Sequence, residues 1–394
     1  MTWATAALRD VCDIVSGSTP LTSEKTFWGG NILWTTPKDL SDLDGAYLDS
    51  PPRTITEEGL KSCAASLLPK NSVLLSSRAP IGLVAINTVP MATNQGFKSL
   101  VPDRQKLDSK FLYHWLKSRT SFLQGLGNGA TFKEISKAVV ERIEIPLPPL
   151  NEQRRIAAIL DKADALRRKR RDAELLIGEL SDARFVSMFG LCKPSRAKWP
   201  TSKVSEVGKV QLGRQRAPKY QTGKFRKPYV RVANVYEDRI DTADILQMDF
   251  NENDFRDYKL EYGDILLNEG QSTELVGRPA MWRSEIEDCC FQNTLVRFQV
   301  DRERVAPEFA LALFLRYFRA GEFAKISSKT SSVAHLGAGR FALMPFPLPP
   351  IKLQREFAEG VIAINKLKDQ YRANTLQIDA LFSSLQHRAF SGQL

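Results

Sequence analysis

The sequence predicts an α/β protein: two mixed α/β domains at opposite ends of a rod of two long antiparallel helices, the halves related by a pseudo-two-fold internal repeat. Three observations predict it. The chain has 394 residues, long enough for two domains with a further element between them. A proline-rich hexapeptide occurs twice, 201 residues apart. Each copy is followed by a long stretch of helical periodicity without an internal proline.

The hexapeptides are Ile145-Pro146-Leu147-Pro148-Pro149-Leu150 and Phe346-Pro347-Leu348-Pro349-Pro350-Ile351, and at the same spacing Gln153-Arg154 returns as Gln354-Arg355. Weaker matches run upstream at spacings of 192 to 198 residues. Val73-Leu74-Leu75 resembles Ile265-Leu266-Leu267, Lys110-Phe111-Leu112 resembles Glu308-Phe309-Ala310, and Asp10-Val11 resembles Glu206-Val207. The drift in spacing implies loop insertions between equivalent elements.

The elements follow in chain order. Residues 1–149 form the first domain, with strand-like runs at 72–75 and 83–86 and a helix at 109–117. Residues 150–190 form a long helix. Residues 191–349 repeat the domain, with strands expected at 228–232 and 264–267 and a helix at 307–318, and residues 350–394 form the second long helix. Apolar residues three and four apart mark a seam at Ile159, Ala163, Leu166, Ile177 and Leu180, repeated at Ile364, Leu367, Ile378 and Leu381. Each helix of about 35 to 40 residues spans on the order of 55 Å. Helix one links the domains, so helix two must return along it, antiparallel, and the same residues are candidates for docking partner subunits.

Composition excludes several function classes. Hydrophobic residues at 43% and charged residues at 26% exclude disorder and fibrous repeats. No apolar run reaches the roughly 18 residues of a membrane helix, and the start MTWATAALRD does not read as a leader, so a cytoplasmic location is expected. Five scattered cysteines and three histidines without metal-ligand spacing argue against a disulfide framework or a metal site. Gly223-Lys224 lacks the spacing of a phosphate-binding loop, and Gly125, Gly127 and Gly129 read as a turn, not a cofactor loop. His114 lies on an apolar helix and reads as packed, His335 and His387 lack a nucleophile motif, and Asp264 with Glu269 is a weak carboxylate pair. No catalytic residue, metal ligand or cofactor is assigned to the chain.

The balance of 56 basic against 45 acidic residues, net +11, suits an anionic partner. The sharpest signal is residues 211–231, where Arg214, Arg216, Lys219, Lys224, Arg226, Lys227 and Arg231 occur without an acid among Tyr220, Phe225 and Tyr229. Cations interleaved with aromatics suit phosphate tracking and base reading; the competing interpretation is a solvated loop. The equivalent stretch 16–40 contributes Ser18, Thr19, Lys25 and Trp28 with a balanced charge, so one scaffold carries two surface chemistries. Arg78, Lys133, Gln271 and Lys329 lie in polar turns as further candidates, each equally readable as an ordinary loop residue. The run Arg167–Arg171 spans a full turn and reads as a solvated face or a partner contact.

Taken with Ser16-Gly17-Ser18-Thr19-Pro20, Arg78-Ala79-Pro80-Ile81-Gly82 and Gly129-Ala130-Thr131-Phe132-Lys133-Glu134-Ile135-Ser136, the duplicated proline cluster, Gln-Arg pair and long helix closely resemble the specificity subunit of type I restriction-modification systems. The second copy departs from the first at Lys352-Leu353 and at Ser332-Val333-Ala334. The resemblance covers essentially the whole chain. It implies a non-catalytic subunit whose two target-recognition domains each read half of an asymmetric double-stranded DNA site. It also implies partners: methyltransferase subunits, expected as a pair, that bind S-adenosylmethionine and methylate adenine N6, and restriction subunits that cut DNA. The alternatives are a stand-alone DNA nuclease or modifying enzyme, and a duplicated-domain regulator.

Overall fold

The computed structural model describes residues 3–128, 133–190, 199–217, 222–330 and 333–394. It divides into two compact units, Met1–Asp172 with Ala373–Leu394, and Ala173–Arg372. Each long helix contributes to both units. The expected mixed α/β class holds.

In the first unit a five-stranded sheet runs in the order Cys12–Ser16, Lys98–Pro102, Val73–Leu75, Val84–Asn87 and Tyr47–Leu48, antiparallel except for the last pair. A smaller sheet orders Arg53–Ile55, Trp28–Thr35 and Ala92–Thr93. The helix Ser109–Ser118 starts where the Asp108 carboxylate accepts from the backbone N–H of Lys110 and Phe111. It buries Phe111, Leu112, Tyr113, Trp115 and Leu116 in the core.

The second unit repeats this order. Gly208–Leu212, Leu295–Val300, Ile265–Asn268 and Pro279–Met281 form an antiparallel sheet. Leu246–Asp249, Arg226–Val230 and Cys290–Phe291 form the smaller one, and the helix Pro307–Arg319 packs as the counterpart of Ser109–Ser118. In each unit a strand entering the proline cluster closes the domain: Thr5–Ala7 pairs with Glu144–Pro146, and Thr201–Lys203 pairs with Pro345–Pro347. The strands and helices expected from periodicity appear within about two residues of their expected ends, except that the second long helix, expected to reach 394, ends at Phe390.

The repeated glutamine has a physical reason. Gln153 is fully buried; its Oε1 accepts from Asp108 N at 2.8 Å, and its Nε2 donates to Lys106 O and Pro148 O, each at 2.8 Å. Gln354 makes the same three bonds, accepting from Ala306 N at 3.1 Å and donating to Arg304 O at 3.1 Å and Pro349 O at 2.7 Å. In both copies one amide satisfies three backbone groups where helix start, proline cluster and domain meet. An unsatisfied buried polar group there costs about 1–3 kcal/mol.

The long helices span Leu150–Phe189 and Ile351–Phe390. Prolines 149 and 350 precede their first residues, and Gly190, at a φ of +78°, takes the left-handed conformation that ends the first. Within the first unit the helices run antiparallel. Arg155 donates to Leu394 O at 3.0 Å, Arg167 pairs with Asp379 at 2.7 Å, and the Arg167 guanidinium lies 4.2 Å from the Phe382 ring centre. Within the second unit, too, they run antiparallel, with Arg372 3.5 Å from Glu174 and Arg184 donating to Glu356 O at 3.0 Å.

The seam differs from the expected one. Ile177 is buried, and Ile159, Ala163, Ile364 and Ile378 are half-buried, but Leu166 is 66% exposed, Leu180 46%, Leu367 38% and Leu381 68%. Those four leucines are corrected to solvent-facing positions. The buried set is Ile156, Ala157, Leu160, Phe382 and Ala389 in the first unit, and Phe185, Phe189, Phe357, Ala358 and Val361 in the second. The helix ends bury their apolar side chains in the domain cores, where a fully buried Phe gains about 1.5–3 kcal/mol over an exposed one. Toward their middles the helices lie beyond those cores, and one helix cannot cover an apolar face wider than a two-residue seam.

His114 is packed, as its helix suggested, and it is also tied. Its Nε2 lies 2.7 Å from Asp161 Oδ1 on the first long helix, and Lys110 Nζ lies 2.9 Å from Asp161 Oδ2. Burial alone would push the Asp161 carboxyl up; hydrogen bonds from His114 and Lys110 outweigh it and hold the group below the usual carboxylate range. A depressed folded pKa stabilises above the unfolded value and is lost as pH falls through the folded one. The first unit should therefore lose stability on acidification below about pH 4. Asp161→Asn should remove that part of the acid limb in a thermal-melt series against pH. An unchanged acid limb would show that the tie contributes nothing.

Candidate nucleic-acid interface

The basic segment of the second unit lies along its smaller sheet. It separates into two kinds of cation. Arg214 sits 3.0 Å from Asp254, Lys227 lies 2.8 Å from Asp288, and Arg231 lies 2.5 Å from Asp244. Lys259 shares Asp288 at 2.7 Å, and both lysines stand over the Phe255 ring, at 4.3 and 5.2 Å from its centre. Hydrogen bonds from Lys227 and then Lys259 hold the Asp288 carboxyl below its ordinary range. The segment has no acid of its own, and the acids that meet it come from 244, 254 and 288, far along the chain but adjacent in the fold. Arg216, Lys224 and Arg226, in contrast, are exposed and have no side-chain partner among the described residues. Lys219 and Tyr220 lie outside the described residues, as do Cys192 and residues 129–132.

A buried carboxylate shapes the turn that presents these cations. Asp249, 5% exposed at the end of the strand Leu246–Asp249, accepts from Thr222 Oγ1 at 2.8 Å and from Gly223 N at 2.6 Å. Burial alone would raise its pKa, but these bonds, with others from the backbone of Thr222 and Phe225, outweigh it and lower the carboxyl below its usual range. Gly223 has a φ of +80°, which a side chain would strain. Asp249 was not legible in the sequence, because Thr222 and Gly223, its partners, lie 27 and 26 residues away along the chain.

Gln271 and Lys329 come together. Both face Ala334 in the small sheet of Gly270–Gln271, Val333–His335 and Ser328–Thr330; Gln271 is half-buried and Lys329 exposed. In the first unit, Arg78 and exposed Lys133 lie on adjoining segments, because Ile135 N donates to Ser77 O at 3.0 Å. Arg78 lies 3.7 Å from Glu134, which also holds the buried Lys98 at 3.1 Å. Glu134 was missed in the sequence because its partners are distant along the chain.

The equivalent segment of the first unit is aromatic, with Trp34 buried and Trp28 half-buried. Trp28 and Trp34 meet edge to face at 5.0 Å, and Arg53 stands 4.9 Å over Trp34 while donating to Thr36 Oγ1 at 2.7 Å. Ser18 O accepts from Trp34 Nε1 at 3.1 Å, Thr19 bonds Gln95, Trp28 Nε1 donates to Leu21 O at 3.2 Å, and Lys25 is exposed. Ser18 and Thr19 thus shape the turn, while Lys25 is free to meet an anion.

A family profile described as the type I restriction modification DNA specificity domain matches residues 1–175. The type I restriction enzyme MjaIX specificity subunit of Methanocaldococcus jannaschii is 32% identical over 280 residues, 66% of this chain and 63% of that protein. Over these stretches the chain is similar to type I restriction-modification specificity subunits. The match with this curated relative takes in less than two thirds of that protein's length. The fold is shared with a chain from a structure of complex assembly and conformational transition of the type I R-M system, with a TM-score of 0.63 at 18% identity over 100% of this chain and 98% of that one. It is shared also with the S subunit from M. genitalium, with a TM-score of 0.58 at 17% identity over 99% and 96%. No helix among the described residues is long and apolar enough to cross a membrane.

Proposed function

We propose that this chain is the non-catalytic DNA-specificity subunit of a type I restriction-modification complex working in the cytoplasm. Residues 1–149 and 191–349 each read one half of an asymmetric bipartite DNA site. The observation that carries this reading is the pairing of one duplicated scaffold with two surface chemistries: half-buried Trp28 with exposed Lys25 in the first copy, exposed Arg216, Lys224 and Arg226 in the second. In this reading methyltransferase subunits, two per chain, supply S-adenosylmethionine and methylate adenine N6, and restriction subunits join them. The test is methylation-aware sequencing of host DNA with and without the chain. A bipartite methylated motif that disappears with the chain supports the proposal; an unchanged methylome sinks it.

The exposed leucines of the long helices are the proposed docking surface for the methyltransferase. Leu180 and Leu381 are far enough in water that aspartate at both should cost little stability, because surface substitutions usually stay within about 0.5 kcal/mol. The expected result for Leu180→Asp with Leu381→Asp is an unchanged melting temperature and loss of co-purification with the co-expressed methyltransferase subunit. Normal assembly would place docking elsewhere.

A further inference from the structure

We infer that Phe225 reads the 5-methyl group of a thymine in the half-site recognised by the second domain, an assignment that rests on the proposed function and names a base contact within it. Phe225 is 44% exposed and stands between exposed Lys224 and Arg226. Its backbone is fixed on both sides. Before it, the Thr222-Gly223 turn hangs on the buried Asp249 carboxylate; at Phe225 itself the carbonyl accepts from Phe250 N at 2.9 Å, and Arg226 begins the strand that pairs with Leu246–Asp249. The ring is therefore presented by a rigid turn, not a loose loop.

Beside the ring lies a recess of about 220 Å³, lined by Phe225, the buried Phe250 and the half-buried Phe255, with Lys224, Arg226, Lys227 and Glu252 completing its rim. The three rings are its apolar lining; of the charged groups at its rim three are cations and one, Glu252, is a carboxylate. Against DNA, the rim suits phosphates, and the lining has one complementary group among the base edges of the major groove: the thymine methyl, the sole apolar substituent there. A bare cation cluster would track phosphates without preference. An aromatic held rigidly within such a cluster adds a preference at one base pair.

The assignment is tested by removing the methyl from the DNA and the ring from the protein. The probes are duplexes carrying the methylated motif read from host DNA, with each thymine in turn replaced by uracil, and the protein is the full chain. Burial of one methyl is worth about a fourfold change in affinity. Wild type should lose about that factor at one thymine of the second half-site. Phe225→Ala should bind thymine and uracil alike at that position and keep the wild-type response elsewhere. Asp249→Asn, which slackens the turn, should lose the same discrimination while its salt dependence stays that of wild type, a pattern that a general loss of folding would not give.

Wild type indifferent to every thymine, a second half-site without thymine, or Phe225→Ala that weakens thymine and uracil duplexes equally would each overturn the assignment. If wild type binds the motif and only the ring proves indifferent, the inference fails alone. A wild-type chain that binds no DNA overturns the proposed function with it.

Discussion

Arg297→Met should destabilise the second unit by about 3–5 kcal/mol, because it leaves a buried carboxylate without its counter-charge. Arg297 lies in the strand Leu295–Val300, 3% exposed, and its guanidinium donates to Lys259 O at 2.8 Å, Asp257 O at 2.9 Å, Gln211 Oε1 at 2.5 Å and Asp264 Oδ2 at 3.4 Å. It also stands 4.9 Å from the Phe291 ring centre. Methionine fills much of the volume but satisfies none of those acceptors. Burial already pushes the Asp264 carboxyl above its ordinary value, with Arg297 opposing that shift. Losing Arg297 should raise it further. A group whose folded pKa is raised contributes stability that is present below its unfolded pKa and lost as pH rises through the folded one, so the deficit of the variant should shrink as pH falls. Denaturant unfolding of the full chain between pH 5 and 8 measures both effects. Replacing Asp264 by Leu in the same chain should recover much of the loss, since an apolar pair of similar volume is often neutral. No loss in the single variant would mean that the pair is dispensable. The functional consequence is local: Asp257 and Lys259 bracket the end of the helix Glu252–Tyr258, which carries Asp254 and Phe255, the partners of Arg214 and Lys227.

What the sequence made legible was whatever depends on near neighbours or on duplication. The helix limits at Pro149 and Pro350 follow from local chemistry, and the twin glutamines, though their bonds are long-range, announced themselves by recurring at the same spacing as the prolines. Helix faces were less legible. Periodicity says that Leu166 and Leu381 share a stripe with Ile159 and Ile378, but which edge of a wide stripe is covered depends on what lies across it, and a domain core competes with the other helix for that face. Ion pairing was illegible for the same reason. The stretch 211–231 has no acid of its own, yet strand pairing of Arg226–Val230 with Leu246–Asp249 and Cys290–Phe291 delivers acids from far along the chain. A local charge count measures composition, whereas neutralisation is a property of the sheet order.

That division among the cations yields an expected result in DNA binding. Each cation that neutralises a phosphate releases condensed counterions, so removing one should lower the slope of log affinity against log salt by about 0.9. Arg216, Lys224 and Arg226 are exposed and carry no carboxylate partner among the described residues, so replacing all three by alanine should lower the slope by up to about 2.7. Affinity near physiological salt should fall with it. Arg214 and Lys227 are already neutralised by Asp254 at 3.0 Å and Asp288 at 2.8 Å. A paired cation releases few counterions on binding, so alanine at those two positions should change the slope much less and should show instead as a lower melting temperature. Titrating a fluorescent duplex with the full chain at several salt concentrations separates the two groups. Equal slope changes for both sets would mean that the ion pairs open on DNA, and an unchanged slope for the triple variant would remove this turn from the DNA interface.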